Sequence, residues 1–161
     1  MDRKQLVPLM PRDKSDVDSA RALVALGHPA LKPVYPEILR RLKDHDSPVA
    51  EIFMEFFASA GETVAPEVGR ALMSSRMPEL KYKLVSRVLP HWPRQAVEQV
   101  ASALQMLVTH TDAYDTDLWC IRLLARHQLC DTQWLLQWLD FKRERYERYL
   151  KFARELRAEL K

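Results

Sequence analysis

The chain has 161 residues, 47% hydrophobic and 29% charged. That is the balance of one folded domain, large enough to bury a core without metals or disulfides. Its net charge of +3 and pI near 8.9 are too mild to mark a nucleic-acid binder, so the placement of the basic residues decides. The 3 glycines are too few for the turns of an all-β sandwich, which favours helix. Cys120 and Cys130 fit no metal-ligand spacing and make no disulfide framework. Met1-Asp2-Arg3-Lys4 opens no signal-like segment, and no apolar run approaches the roughly 20 residues that span a bilayer. A reducing cytoplasm is the expected compartment.

Proline opens helices, because its missing N–H falls where no intrahelical partner exists. Ser47-Pro48 and Met77-Pro78 lie 30 residues apart, as do Pro36-Glu37 and Pro66-Glu67, and Pro93 opens a third helix of the second kind. Interleaved starts at that period predict helix-pair repeats.

The first pair starts near Asp16, with Ser15 and Asp18 as a capping box. Val17, Ala20, Leu23 and Leu26 face inward, and Gly27 ends the helix. Its second helix covers about 34–43, burying Tyr35, Ile38, Leu39 and Leu42. The second pair begins with Ser47 as cap and buries Val49, Ile52, Phe53, Phe56 and Phe57 up to Gly61. Its partner, about 63–74, buries Val64, Val68, Ala71 and Leu72. The third pair runs inward through Leu80, Leu84, Val85, Val88 and Leu89, stops at Pro90, and resumes at Pro93 with Ala96, Val97, Val100, Leu104 and Leu107. The fourth breaks the pattern. A helix over about 117–127 presents Leu118, Ile121, Leu124 and Ala125, and one capped by Asp131 or Thr132 meets no breaker down to Lys161. The expected fold is all-α: a short right-handed α-α superhelix of HEAT/ARM-like pairs, about eight helices in a single domain over residues 1–161.

The terminal helix carries a heptad stripe. Leu139, Tyr146, Ala153 and Leu160 form one series and Leu135, Lys142, Tyr149 and Leu156 the other, with Lys142 as the exception. From residue 142 onward eight basic residues face four glutamates, a net +4, so the rest of the chain is near −1. The helix can cap the stack, pair with a second copy, or lay a basic face on nucleic acid. The interspersed glutamates argue against the last and fit i, i+4 pairing better.

Candidate chemistry is sparse. No two of the five histidines are spaced for a zinc pair, and there is no phosphate loop or nucleophile elbow. Asp112, Asp115 and Asp117 lack the glycine and distal glutamate of a calcium loop and read as helix caps. Cys120 reads as a core filler. No catalytic residue, cofactor or metal is expected, and the chain is read as not an enzyme. The candidate partner-binding residues are Lys81, Tyr82 and Lys83 on an inner surface, and Trp92 between two prolines as an exposed aromatic or a plug of the stack's edge. Tyr146, Tyr149, Arg145 and Arg148 of the terminal helix complete the set. The leading function is a protein–protein interaction module, with a protein partner or a homodimer through the terminal helix. The alternative is a nucleic-acid binder that uses the basic terminal helix together with Arg40, Arg41, Arg70, Lys81 and Lys83 on one concave face.

Leu6-Val7-Pro8 and Pro11-Arg12-Asp13-Lys14-Ser15-Asp16, then Asp46-Ser47-Pro48-Val49-Ala50, Leu80-Lys81-Tyr82-Lys83 and Leu89-Pro90, resemble a family of uncharacterised, mostly bacterial domains of unknown function. The resemblance covers about residues 6–128. Ser47 and Lys83 depart from it, standing where the family pattern has aromatics. It implies an all-helical, HEAT-like stack and no activity. It leaves residues 131–161 as an extension, and an immunity or adaptor role in bacteria is one version of the interaction reading.

Overall fold

The computed structural model describes residues 1–74 and 76–160. Among them the chain is all-α, with ten α-helices and no strand. The two helices beyond the expected eight have plain causes. Asp2 and Gln5 cap each other across a short α1 (Arg3–Leu6), with bonds of 2.9 and 2.8 Å. The Pro93 helix is broken at Gln99–Val100 into α7 (Arg94–Glu98) and α8 (Ala101–Val108).

α2 spans Val17–Val24. Its cap is Asp16, one residue later than the expected Ser15, and the carboxylate accepts from the Ser19 and Arg12 backbone N–H groups. Those donors hold the Asp16 carboxyl below its ordinary range. Because α2 stops at Val24, Leu26 stands exposed rather than inward. The turn that follows needs Gly27 at φ +66°, which only glycine adopts freely.

α3 spans Tyr35–Arg41 and α4 Pro48–Ala60. Ser47 caps α4 from the Ala50 N–H at 3.1 Å and donates to the Lys14 carbonyl at 3.2 Å. A buried aromatic there could make neither bond, which gives a physical reason for serine at this position. α5 spans Ala65–Ser74 and α6 Pro78–Lys83. α6 continues through a π turn at Leu84–Val88 and a 3-10 turn at Leu89–His91. Leu84, Val85, Val88 and Leu89 are all buried along it. α9 spans Thr116–His127, and α10 Thr132–Glu159 behind its cap Asp131. Cys120 is inside, as expected of a core filler; the face of α9 differs from the expected one in that Leu123 is inside with Ile121 and Leu124, while Ala125 is outside.

The helices pack in two layers. α2, α4, the π turn after α6 and α9 touch in succession, as do α3, α5 and α8, while α3 on α4 and α8 on α9 join the layers. One core runs from Leu6 to Leu135. No described helix is long and apolar enough to cross a membrane.

Candidate functional site

Two places on this scaffold carry unspent chemistry: the far half of α10, and a groove between α3, α5 and the start of α6.

α10 has 28 residues and is about 42 Å long at 1.5 Å per residue. It docks on α9 with its first eleven residues, and Tyr146 adds one further contact beyond them. Leu135 is buried, and Trp134 and Trp138 are half-buried against the core. Lys142 then closes the contact at 3% exposure. Its ammonium pairs with the Asp117 carboxylate, donates to the His110 carbonyl at 3.3 Å, and stands 5.6 Å from the centre of the Trp138 ring. Asp117 is 1% exposed and sits in the first turn of α9, where the helix dipole favours a carboxylate. One turn on, the Tyr146 hydroxyl donates to Asp115 at 3.3 Å. Burial and the Asp117 and Asp115 carboxylates push that phenol up. From residue 143 to 160 every residue is exposed. Tyr149 (71%), Leu150, Phe152, Leu156 and Leu160 all stand in solvent, although the stripe that docked Leu135 and Lys142 continues through Tyr149 and Leu156.

The groove has a volume of about 480 Å³, within the range of ligand sites. Its floor is apolar: Pro36, Ala71 and Met77 reach its surface, backed by the buried Tyr35, Leu39 and Leu80. Around it stand four cations, Lys32, Arg40, Arg70 and Arg76, and one carboxylate, Glu67. Glu67 is 7% exposed, and Lys32 (3.6 Å) and Arg70 (2.9 Å) both reach its Oε1. Arg40 donates its Nε–H to the Pro36 carbonyl at 3.3 Å, and among the described residues no carboxylate is within ion-pair distance of Arg40 or Arg76. Burial, with the Glu67 charge, pushes the Tyr35 phenol up to about 12, and Tyr35 Oη lies 3.1 Å from His28 Nδ1.

The other predicted residues are dispersed. Trp92 is not an exposed aromatic: it is 3% exposed and donates its Nε1–H to the Phe57 carbonyl at 2.9 Å, so it plugs the stack. Tyr82 is half-buried against Tyr114, with ring centres 5.6 Å apart. Lys81 and Lys83 do not share its surface. Lys81 lines a cavity with Met106 and His110, and Lys83 one with Arg21 and Glu51. Arg41 reaches the Pro11 carbonyl at 2.7 Å. Of the proposed basic face only Arg40 and Arg70 line one groove. Arg145 and Arg148 lie on the exposed half of α10, and Lys161 lies outside the described residues. Asp112 accepts from the Tyr114 and Thr116 N–H groups at 2.8 and 3.4 Å, as expected of a residue that organises a helix start. Among the described residues no group of three or more His, Cys, Asp or Glu could hold a metal ion.

Sequence reading missed Lys32, Glu67 and Arg76 in the groove. A signal was present, since the 30-residue period that relates Pro36 to Pro66 also relates Glu37 to Glu67 and Arg40 to Arg70. It missed the Lys142–Asp117 pair because no local pattern links residues on two helices.

No curated protein and no solved structure matches the chain. A family model described as a domain of unknown function (DUF5071) matches residues 9–129, from before α2 through α9, and stops short of α10. The chain belongs to the DUF5071 family of domains of unknown function, and α10 follows the family segment.

Proposed function

We propose that the chain is a non-catalytic protein-interaction module: a short HEAT-like stack of helix pairs that offers the far half of α10 to a second copy of itself. The observation that carries this reading is the docking stripe of α10 continuing, apolar and uncovered, past the edge of the stack. Two unpaired cysteines and the family resemblance fit a bacterial cytoplasmic adaptor.

The segment is self-complementary in an antiparallel register centred near Lys151. Tyr146 of one copy then meets Leu156 of the other, and Tyr149 meets the small Ala153. Phe152 meets its counterpart, and Arg145 stands opposite Glu159. On the other flank Leu150 meets Leu150, with Arg143 and Arg157 together at a like-charge cost that salt screens.

Light scattering of the intact chain tests this. A dimer mass is expected, with a monomer for the Tyr149→Glu/Leu156→Glu variant; a monomeric intact chain at high micromolar concentration sinks the reading. A truncation control must end after Glu147, because a cut before Lys142 removes the cation of Asp117 and a cut before Tyr146 removes its bond to Asp115. The exposed Arg143, Arg145, Arg148, Lys151, Arg154 and Arg157 support nucleic acid as a second reading. Its mark would be binding to random duplex DNA at low salt that falls steeply as salt rises.

A further inference from the structure

The groove between α3, α5 and α6 is biased toward positive charge on a body that is close to neutral. Outside the segment from residue 142 onward the chain is near −1. Yet the groove gathers four cations against a single carboxylate. All four are solvent-exposed, so their charge is available at the surface. Between them lies apolar floor rather than polar surface, and at one point the groove already holds a carboxylate: Glu67 Oε1, gripped by Lys32 and Arg70. Among the described residues neither Arg40 nor Arg76 has a carboxylate within ion-pair distance, although the charge of Arg40 is felt by Glu37, which Arg3 holds.

A cleft with an apolar floor and separated cations complements a ligand with the inverse pattern, an apolar side chain flanked by separated carboxylates. A single compact anion would engage only part of that rim. A phosphodiester strand would find the apolar floor uncompensated and Glu67 repulsive. We infer that this groove docks an acidic segment of a partner protein, with one large apolar side chain on Pro36, Ala71 and Met77 and its neighbouring carboxylates on Arg40, Arg70 and Arg76. This rests on the reading that the chain binds proteins, but not on the pairing of α10, which lies elsewhere.

The test uses the full chain and a fluorescein-labelled peptide of about ten residues, one Phe flanked on both sides by Glu and Asp, read by anisotropy. The expected result is saturable binding weakened about tenfold or more by the charge reversals Arg40→Glu and Arg76→Glu. Both side chains are solvent-exposed and make no ion pair among the described residues, so the fold is retained. Ala71→Trp, which fills the cleft, abolishes binding. Lys151→Glu, on α10, leaves it unchanged. A peptide with Phe replaced by Ala, or with its acids replaced by amides, binds at least tenfold more weakly. Three results would overturn the inference: no binding at low salt, equal loss from Lys151→Glu and Arg40→Glu, or an Ala peptide as good as the Phe peptide. The Tyr149→Glu/Leu156→Glu variant separates the two proposals. It is expected to bind the peptide normally whether or not the intact chain dimerises, and loss of peptide binding in it would also overturn the groove assignment.

Discussion

The two halves of α10 share one helix and one heptad pattern, and they have opposite fates. Residues 132–142 put Leu135 and Lys142 into the body, while residues 143–160 expose every side chain, Tyr149 and Leu156 included. The pattern reports that the helix is amphipathic; it does not report what covers the apolar face. The position that violates the pattern, Lys142, makes the most buried polar contact of the helix, because Asp117 waits beneath it on α9. An apolar stripe is thus weaker evidence of docking here than a single charge with a buried partner.

The first way to break the comparison is to remove that charge. Lys142→Ala leaves Asp117 buried without its cation, which costs about 3–5 kcal/mol. Urea unfolding followed by circular dichroism should show the loss, and a change below 1 kcal/mol would mean that the helix is not latched there. Replacing both partners, Lys142→Met with Asp117→Leu, should recover most of it, because two desolvated charges are exchanged for packing.

A second measurement follows the latch from inside. Burial first, then the Asp117 and Asp112 charges, push the Cys120 thiol up to about 12; burial and Asp131 also raise Cys130, but it is only half-buried, at the α9–α10 junction. The thiolate is the reactive form, so Cys130 should label with a disulfide reagent at pH 8 about a hundredfold faster than Cys120. In Lys142→Ala the Cys120 rate should rise. Equal rates in the parent chain would place Cys120 outside the core.

Much of the stack was legible because its signals are local. Proline, cap and glycine positions mark helix ends by backbone chemistry alone, and Ser47, Gly27 and Gly61 stand where that chemistry puts them. Boundaries slipped where two residues competed for one role, as Ser15 and Asp16 did for the cap of α2. What was not legible is tertiary. A tryptophan between two prolines reads alike whether it faces water or the Phe57 carbonyl, and Lys81 and Lys83 straddle Tyr82 in sequence but line separate cavities, because residues two apart on a helix point to different sides. The groove lay in between, since its Arg40/Arg70 pair recurs with the repeat while Lys32 and Arg76 enter from turns.

Trp92 gives a third, smaller test, on the body rather than the tail. Trp92→Phe keeps an aromatic ring but removes the donor to Phe57, and should cost about 1 kcal/mol for the hydrogen bond, plus some packing. No change in unfolding midpoint would mean that the indole N–H contributes nothing there.

The smallest expected effect sharpens the comparison most. Tyr149→Ala and Leu156→Ala occupy the same heptad series as Lys142, so a helix docked along its whole length would lose several kcal/mol at each, as buried large-to-small changes do. In the structure neither side chain is covered, so unfolding measured at concentrations where the chain is monomeric should change by no more than about 0.5 kcal/mol. Raising the protein concentration should then separate the variants from the parent, because association stabilises only a chain that can pair. If the parent's unfolding midpoint rises with concentration and the variants' midpoints do not, the far half is an interface. If both variants cost several kcal/mol in the dilute monomer, the far half folds back onto its own stack and the division of α10 into two halves fails.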